Sequence, residues 1–353
     1  MNAAQEFRLS GTALPKDAAS MLDEICDHFV EHSDVRRTGD LVLLKSEIGT
    51  ADIRQQEGRL LIDLACPTED ALHLTRNLIA EHLFYFAGDE PFELTWSNPG
   101  RLASLPNIHH VTVVSAEDVT PRMRRVKFSV ADITPFIGGD MHVRLLVPPK
   151  GRTPVWPGYR EDGRIAWPEG DDELLVRVYT IRAVDVERRE LWIDFLQHPA
   201  PGVETPGADF ARDARPGDIA ALLGPGGGDL PQADFILMAG DEAALPAIAR
   251  IAAEAPAGTR IKAIIEVLDR AEEQPLTSAG SLDVQWLHRK DYSGETGVLV
   301  KAVKEAVEAA AGDAFVWVAC EKDDIRSIRS FLKARGHDRK RQYVAWYWER
   351  EED

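Results

Sequence analysis

The sequence predicts three domains: an N-terminal α+β domain over 1–98, a six-stranded antiparallel β-barrel over 105–230, and an α/β domain with a parallel sheet over 231–353. Three observations carry this expectation. The 353 residues, 44% of them hydrophobic, suffice for two to three separate cores. Strand-like runs crowd the stretch from His109 to Leu223 with little helical periodicity between them. From Phe235 onward, short apolar runs alternate with amphipathic helical ones, the order that a parallel sheet wound with helices requires.

The first domain opens with a strand over Glu6 to Gly11 and an apolar helix over Lys16 to Phe29 that turns Leu22, Ile25 and Phe29 inward. Strands follow at Leu41 to Lys45 and at Arg59 to Leu64, the latter reached from Ala51 to Glu57 through a turn at Gly58. Thr68 can cap a second helix, with Glu69 and Asp70 suited to its positive end and Ala71, Leu74, Leu78, Leu83 and Phe86 at roughly helical spacing. Phe92 to Trp96 returns as a strand, and Ser97-Asn98-Pro99-Gly100 makes a linker.

Six runs build the barrel: Val111 to Ser115, Arg125 to Val130, His142 to Val147, Leu175 to Ile181, Glu190 to Gln197 and Ile219 to Leu223, with one short helix over Ala208 to Arg212. The last domain takes strands at Phe235 to Met238, Ile261 to Leu268, Val284 to Leu287, Phe315 to Ala319 and Tyr343 to Trp348. Its helices run over Glu242 to Glu254, Val298 to Ala310 and Asp324 to Arg335. A barrel leading into an α/β domain suits two cofactors meeting in a cleft.

Charge narrows the functions. Lys and Arg number 41 against 59 Asp and Glu, a net charge of −18, which opposes nucleic-acid or anionic-lipid binding outside local basic pockets. The three cysteines, Cys26, Cys66 and Cys320, are odd in number and lack metal-ligand spacing, which fits a reducing compartment, read as the cytoplasm. Met1 to Leu14 shows no basic run before an apolar one, and no stretch approaches 18 uncharged apolar residues, so neither signal peptide nor membrane span is expected.

Chemistry concentrates on Arg177-Val178-Tyr179-Thr180. A flavin needs an Arg for its pyrophosphate, an aromatic beside the isoalloxazine and a hydroxyl at the N5 edge, although Tyr and Thr are also ordinary strand residues. Alternation places Arg177 and Tyr179 on one face and Thr180 on the other unless the strand bends. Gly224-Pro225-Gly226-Gly227-Gly228 lacks the Gly-Lys-Ser/Thr of a phosphate loop and reads as a hinge. Gly240-Asp241-Glu242 lies where a strand yields to a helix, the crevice in which open α/β sheets bind ligands. Gly240 allows close approach there, while Asp241 or Glu242 can equally cap the helix. At the end of the second sheet strand, Arg270 suits a ribose 2′-phosphate, whereas Glu266 and Asp269 oppose one.

The run Arg177 to Arg182, then His198, Pro206 to Ala211, Arg215 to Asp218 and Leu223 to Gly227 resembles, in order and spacing, the siderophore-interacting protein family of ferric-siderophore reductases. Met123 to Val126, Asp140 to Leu145 and Ala239 to Ile248 extend the resemblance, which covers about residues 107 to 350. It implies an FAD-binding barrel of the ferredoxin-reductase kind followed by an NAD(P)H-binding α/β domain. Carried over, Arg177, Tyr179, Thr180 and Arg182 hold the flavin, with Tyr179 and Thr180 at the reacting ring. His198, Pro206, Gly207, Ala208 and Phe210 border its pyrophosphate and adenosine, and Gly240, Asp241, Glu242 and Ala244 meet the nicotinamide nucleotide.

The chain departs from the family at Ala208, where a serine hydroxyl is usual, and at Phe210-Ala211 in place of Trp-Ala. Cys320 and Trp346 stand where small glycines are usual. Trp346 either narrows the space for nicotinamide or buries its ring, and Cys320 is either redox-active or an inert buried thiol. The N-terminal domain resembles an uncharacterised module, which supplies no activity. Its His28-Phe29-Val30-Glu31-His32 fits an inverted zinc-protease pattern, yet no third ligand is identifiable, and a solvated helix flank with no metal is expected.

The resemblance implies a reductase that moves electrons from NADPH or NADH through FAD to a ferric siderophore; by location only, Arg124, Arg125, Lys127, Arg144 and Arg182 are candidates for a basic pocket that meets an anionic chelate. A flavin-dependent reductase of another acceptor and a non-enzymatic siderophore- or flavin-binding protein are the alternatives. The siderophore, the choice of nucleotide and the oligomeric state stay open.

Overall fold

The computed structural model describes residues 6–30, 33–98, 105–197, 205–292, 297–310 and 314–350. They form two compact units, Met1–Ile108 with Pro149–Leu174, and His109–Pro148 with Leu175–Asp353.

The first unit contains β1 (Phe7–Leu14), α1 (Ala18–Phe29), β2 (Asp34–Thr38), β3 (Leu41–Lys45), β4 (Thr50–Gln56), β5 (Arg59–Cys66), α2 (Glu69–Ala87) and β6 (Glu93–Trp96). Its antiparallel sheet has the order β2-β3-β4-β5-β1-β6. Val42, Leu44, Ile53, Leu60, Ile62 and Leu64 point from alternate positions into one core with Leu22, Ile25 and Phe29 of α1. Asp17 caps α1 by accepting from the Ala19 and Ser20 amides, and Thr68 caps α2 by accepting from Ala71. One strand is not anticipated by the sequence, and one expectation needs correction. β2 carries no apolar alternation in its sequence, because as an edge strand it is mostly solvated on both faces. On α2, Ala71 and Leu83 are buried as their spacing predicts, but they share that face with Leu72, Thr75, Arg76 and Ile79, and Leu78 is exposed.

In the second unit the barrel begins with β7 (Ile108–Thr120), β8 (Met123–Val130) and β9 (His142–Val147). β7 is longer than its apolar run, because two register shifts accommodate the polar stretch around Ser115 to Asp118. After β9 the chain leaves the barrel for residues 149–174, which contain the hairpin of β10 (Gly158–Tyr159) and β11 (Ile165–Ala166) and belong to the first unit. There the Arg76 guanidinium donates to the carbonyls of Arg160 and Glu161 at 3.3 and 2.7 Å, and Trp96 Nε1 donates to Asp162 at 2.8 Å. Asn77 donates to the Gly163 carbonyl, and Glu81 accepts from the Ile165 amide.

The barrel resumes with β12 (Leu175–Asp185), β13 (Glu190–Leu196), the short helix α3 (Pro206–Asp213) and β14 (Ile219–Leu223). It closes in the order β12-β13-β8-β7-β14-β9 around Val111, Val126, Phe128, Leu145, Ile181 and Phe195, with Ala211 of α3 in the same core. Then come β15 (Phe235–Gly240), α4 (Leu245–Glu254), β16 (Arg260–Val267), β17 (Ser281–His288), α5 (Val298–Ala309), β18 (Phe315–Glu321), α6 (Lys322–Arg335) and β19 (Gln342–Trp348). All five strands are parallel, in the order β17-β16-β15-β18-β19. One core lies on the α4 side of this sheet and a second on the α5 and α6 side. The expected start of α4 at Glu242 is corrected to Leu245, since Pro246 fits only the first turn of a helix.

Barrel and α/β sheet are joined within this unit by buried polar ties. Arg250 of α4 donates to the carbonyls of Ile181 and Phe136, and Glu272 accepts from Thr120 Oγ1 at 2.6 Å. Among the described residues no helix is long and apolar enough to cross a membrane.

Candidate functional site

The centre of β12 presents the Arg177 to Thr180 tetrad. Arg177 and Val178 are exposed, and the Arg177 guanidinium donates only to the neighbouring Val176 carbonyl at 2.8 Å, with no carboxylate pairing it among the described residues. Tyr179 packs against the barrel core: its ring lies 4.3 Å from that of Phe195, and burial lifts its phenol to about 12. The first turn of α3 comes so close that a Cβ at Gly207 would strike the Tyr179 hydroxyl. Glycine is therefore required there by the approach of helix to ring. Pro206 occupies the first turn, Gly207 and Ala208 are buried, and Phe210 turns into the barrel core beside Phe128 and Phe195.

Thr180 falls on the opposite face, as alternation requires, and pairs in register with His142 of β9. Its Oγ1 lies 3.3 Å from His142 Nδ1, while His142 Nε2 lies 3.0 Å from the Tyr347 hydroxyl of β19. Burial, with the nearby Arg250 charge, holds the His142 imidazole down to about 4, so it is neutral at pH 7. The glycine run is no free hinge. Gly226 N donates to the His142 carbonyl at 2.9 Å, Met141 N donates to Gly227, and a Cβ at Gly228 (φ +78°) would meet His142 Nε2 at 2.5 Å. Arg182 sits at the register shift between Ile181 and Ala183, its Nε buried without a hydrogen-bond partner, and its guanidinium is held below the usual range by burial.

At the carboxyl edge of the parallel sheet, Gly240, Asp241, Glu242 and Ala244 are all buried. The space beside Gly240 is filled by Ala244 and by the Ala319 carbonyl, so the chain's own packing explains this glycine. Asp241 accepts from the Ala243 amide and, at 2.6 Å, from Trp348 Nε1; burial raises its carboxyl to about 6. Glu242 accepts from the Leu268 amide and pairs with Arg289, which also reaches Glu266 at 3.1 Å. Lys290 pairs with Asp269, and Arg270 extends into solvent. Both acids expected to oppose a 2′-phosphate are thus neutralised by cations that spacing alone does not associate with them.

Other candidates fare differently. Arg124 pairs with Asp118, Lys127 with Glu117, and Arg125 forks onto Asp194 at 2.7 and 2.8 Å. These three are therefore ion-paired, whereas Arg144 is exposed. Cys320 is buried, and burial with surrounding carboxylates pushes its thiol up, which keeps it protonated and inert. Trp346 is half-exposed and lies beside Lys322 of α6, while Tyr343 and Tyr347 pack on Trp317 in the other core. It therefore sits away from the His142 face. His198, Glu31 and His32 lie outside the described residues. His28 packs its ring 4.7 Å from His82, and among the described residues no group of His, Cys, Asp and Glu could hold a metal. His142, Tyr347, Trp348 and Arg289 are the participants that sequence reasoning did not single out. The coincidence of the Asp140 to Leu145 motif with the terminal aromatic strand was the available signal for the first two.

Comparison with known proteins agrees with this architecture. Residues 112–229 match the siderophore-interacting FAD-binding domain, residues 233–351 the siderophore-interacting protein family, and residues 12–97 an uncharacterised protein family conserved in bacteria. The ferric vibriobactin reductase of Vibrio cholerae is 30% identical over 213 residues, covering 59% of this chain and 76% of the relative. An NADPH-dependent ferric-chelate reductase of Escherichia coli is 27% identical, covering 71% and 96%. The crystal structure of a siderophore utilization protein from T. fusca, 34% identical, superposes with a TM-score of 0.57 over 70% of this chain and 94% of the other. The chain belongs to the siderophore-interacting protein family.

Proposed function

We propose that this protein is an FAD-dependent reductase that takes electrons from NADPH and delivers them to ferric iron held by a siderophore. The observation that carries the reading is the exposed Arg177, with no carboxylate partner among the described residues, together with the Gly207–Tyr179 contact, on the barrel that matches an FAD-binding domain. These residues fit a flavin: a free guanidinium for the pyrophosphate, the start of α3 for its charge, and a hydroxyl for the ring's N5 edge. Tyr179, backed by Phe195, forms the wall against which the ring is held.

Bound FAD converts a hydride donor into a one-electron donor, so one NADPH reduces two ferric ions. Fe(II) is held less strongly than Fe(III) by hard oxygen donors, and reduction therefore releases the metal. The protein's own part is positional. Arg177 and α3 anchor the phosphates, Thr180 orients the ring edge, and exposed Arg144 offers charge to an anionic chelate. NADPH is favoured as donor because Glu266 and Asp269 are neutralised by Arg289 and Lys290, which leaves Arg270 without acidic competition nearby except Glu273 at 3.8 Å. Free, mostly buried cysteines fit the cytoplasm.

Anaerobic visible absorbance of the FAD-loaded protein tests the reading. NADPH is expected to bleach the flavin band, and a ferric siderophore to restore it with Fe(II) appearing in a chelator trap. Restoration by quinones but not by ferric siderophores would make it a reductase of another acceptor. A band that neither NADPH nor NADH bleaches would leave a binding protein.

A further inference from the structure

We propose that His142 is a positioning residue that donates from Nδ1 to the Thr180 hydroxyl while its Nε2 accepts from the Tyr347 phenol, so that the Thr180 proton points outward to the flavin. This rests on the reading that FAD lies along β12. The contacts at 3.3 and 3.0 Å fall on opposite ring nitrogens. A neutral imidazole carries one donor and one acceptor, so the chain Tyr347–His142–Thr180 has only two polarities. The N5 atom of an oxidised flavin has a lone pair and no proton, so the Thr180 hydroxyl must donate to it. That hydroxyl then accepts from Nδ1–H, and Nε2 is left to accept from Tyr347.

The surroundings are built for the ring. The His142 carbonyl is held by Gly226, its neighbour Met141 by Gly227, and Gly228 leaves open the space that a side chain would take from Nε2. This gives the Gly224 to Gly228 run a purpose other than hinging. It also explains how a residue on the terminal strand, remote in sequence from β12, acts on Thr180 through an intermediary.

Nitrogen-15 NMR of the histidine side chains in the oxidised FAD-loaded protein tests the polarity, with the His142 signals assigned by their loss in His142→Asn. Nδ1 is expected to be protonated and Nε2 bare; a protonated Nε2 overturns the proposal. FAD titration supplies a second readout. His142→Leu is expected to raise the FAD Kd about tenfold, the worth of about one hydrogen bond. His142→Asn, whose amide can donate toward Thr180, should recover to within about threefold. Leu and Asn variants that bind alike overturn the positioning role. If His142→Leu does not fold, the tautomer of the wild-type ring decides. Wild-type protein that retains no FAD overturns the flavin reading itself, whereas retained FAD with the opposite tautomer overturns only the inference about His142.

Discussion

At the residue scale, Gly207 and Tyr179 define each other. A methyl at Gly207 has nowhere to go except into the phenol, so Gly207→Ala is expected to displace the ring or α3 and to lower FAD retention at least as much as Tyr179→Ala. Arg177→Ala removes a charge-assisted contact and should weaken FAD about tenfold or more, measured by titration; unchanged flavin content in all three purified variants would sink the site assignment. His142 gives a pH signature. Its folded value, about 4, lies below the ordinary 6.5, so between those values the unfolded chain takes up a proton that the folded one refuses. Stability from this group is full above pH 6.5 and falls as pH drops toward 4, by about 3 kcal/mol at most. Asp241 acts in the opposite sense: raised from 3.8 to about 6, it binds its proton more readily when folded, and costs stability as pH rises through that window. Denaturation of wild type and His142→Asn across pH 4 to 7 should therefore show wild type losing about 3 kcal/mol relative to the variant on acidification. Parallel curves would mean that the imidazole is not held neutral.

At the element scale, α2 does what its periodicity does not announce. Helical spacing predicts Ala71, Leu74, Leu78 and Leu83 as the inner face, but the buried face includes Arg76, 1% exposed, which donates to two carbonyls of the 149–174 excursion. A buried guanidinium needs partners in place of its water, and those carbonyls and the face of Trp96, 5.8 Å away, are among them. Arg76→Ala should cost about 2–4 kcal/mol and expose 149–174 to limited proteolysis, since it removes the two hydrogen bonds by which α2 holds the Arg160 and Glu161 carbonyls. An uncut hairpin in that variant would show that Trp96, Asn77 and Glu81 suffice to hold it.

At the scale of the whole molecule, two units with separate cores share one chain that crosses between them at Pro148 and Leu175 as well as near Ile108. Scanning calorimetry is expected to resolve two transitions. FAD at about 100 times its Kd should raise only the transition of the unit containing β12, by about 2.7 kcal/mol of stability. A single transition that moves as one with FAD would mean that the 149–174 excursion couples the units into one cooperative system.

The order of the architecture follows from local sequence: five strands of the first sheet, the Thr68-capped helix, the six barrel strands and the alternating strands and helices after Phe235 are legible from local period and turn residues. Local sequence also placed Arg177, Tyr179 and Thr180 together, because neighbours on one strand stay neighbours in any fold. Tertiary structure alone decided the rest. Edge strand β2 has no buried face to write a pattern, Arg76 is inside because carbonyls 84 and 85 residues away receive it, and His142 meets Tyr347 across 205 residues. Those pairings are made by sheet closure and chain crossing. No spacing along the sequence encodes a distance that folding creates between segments so far apart.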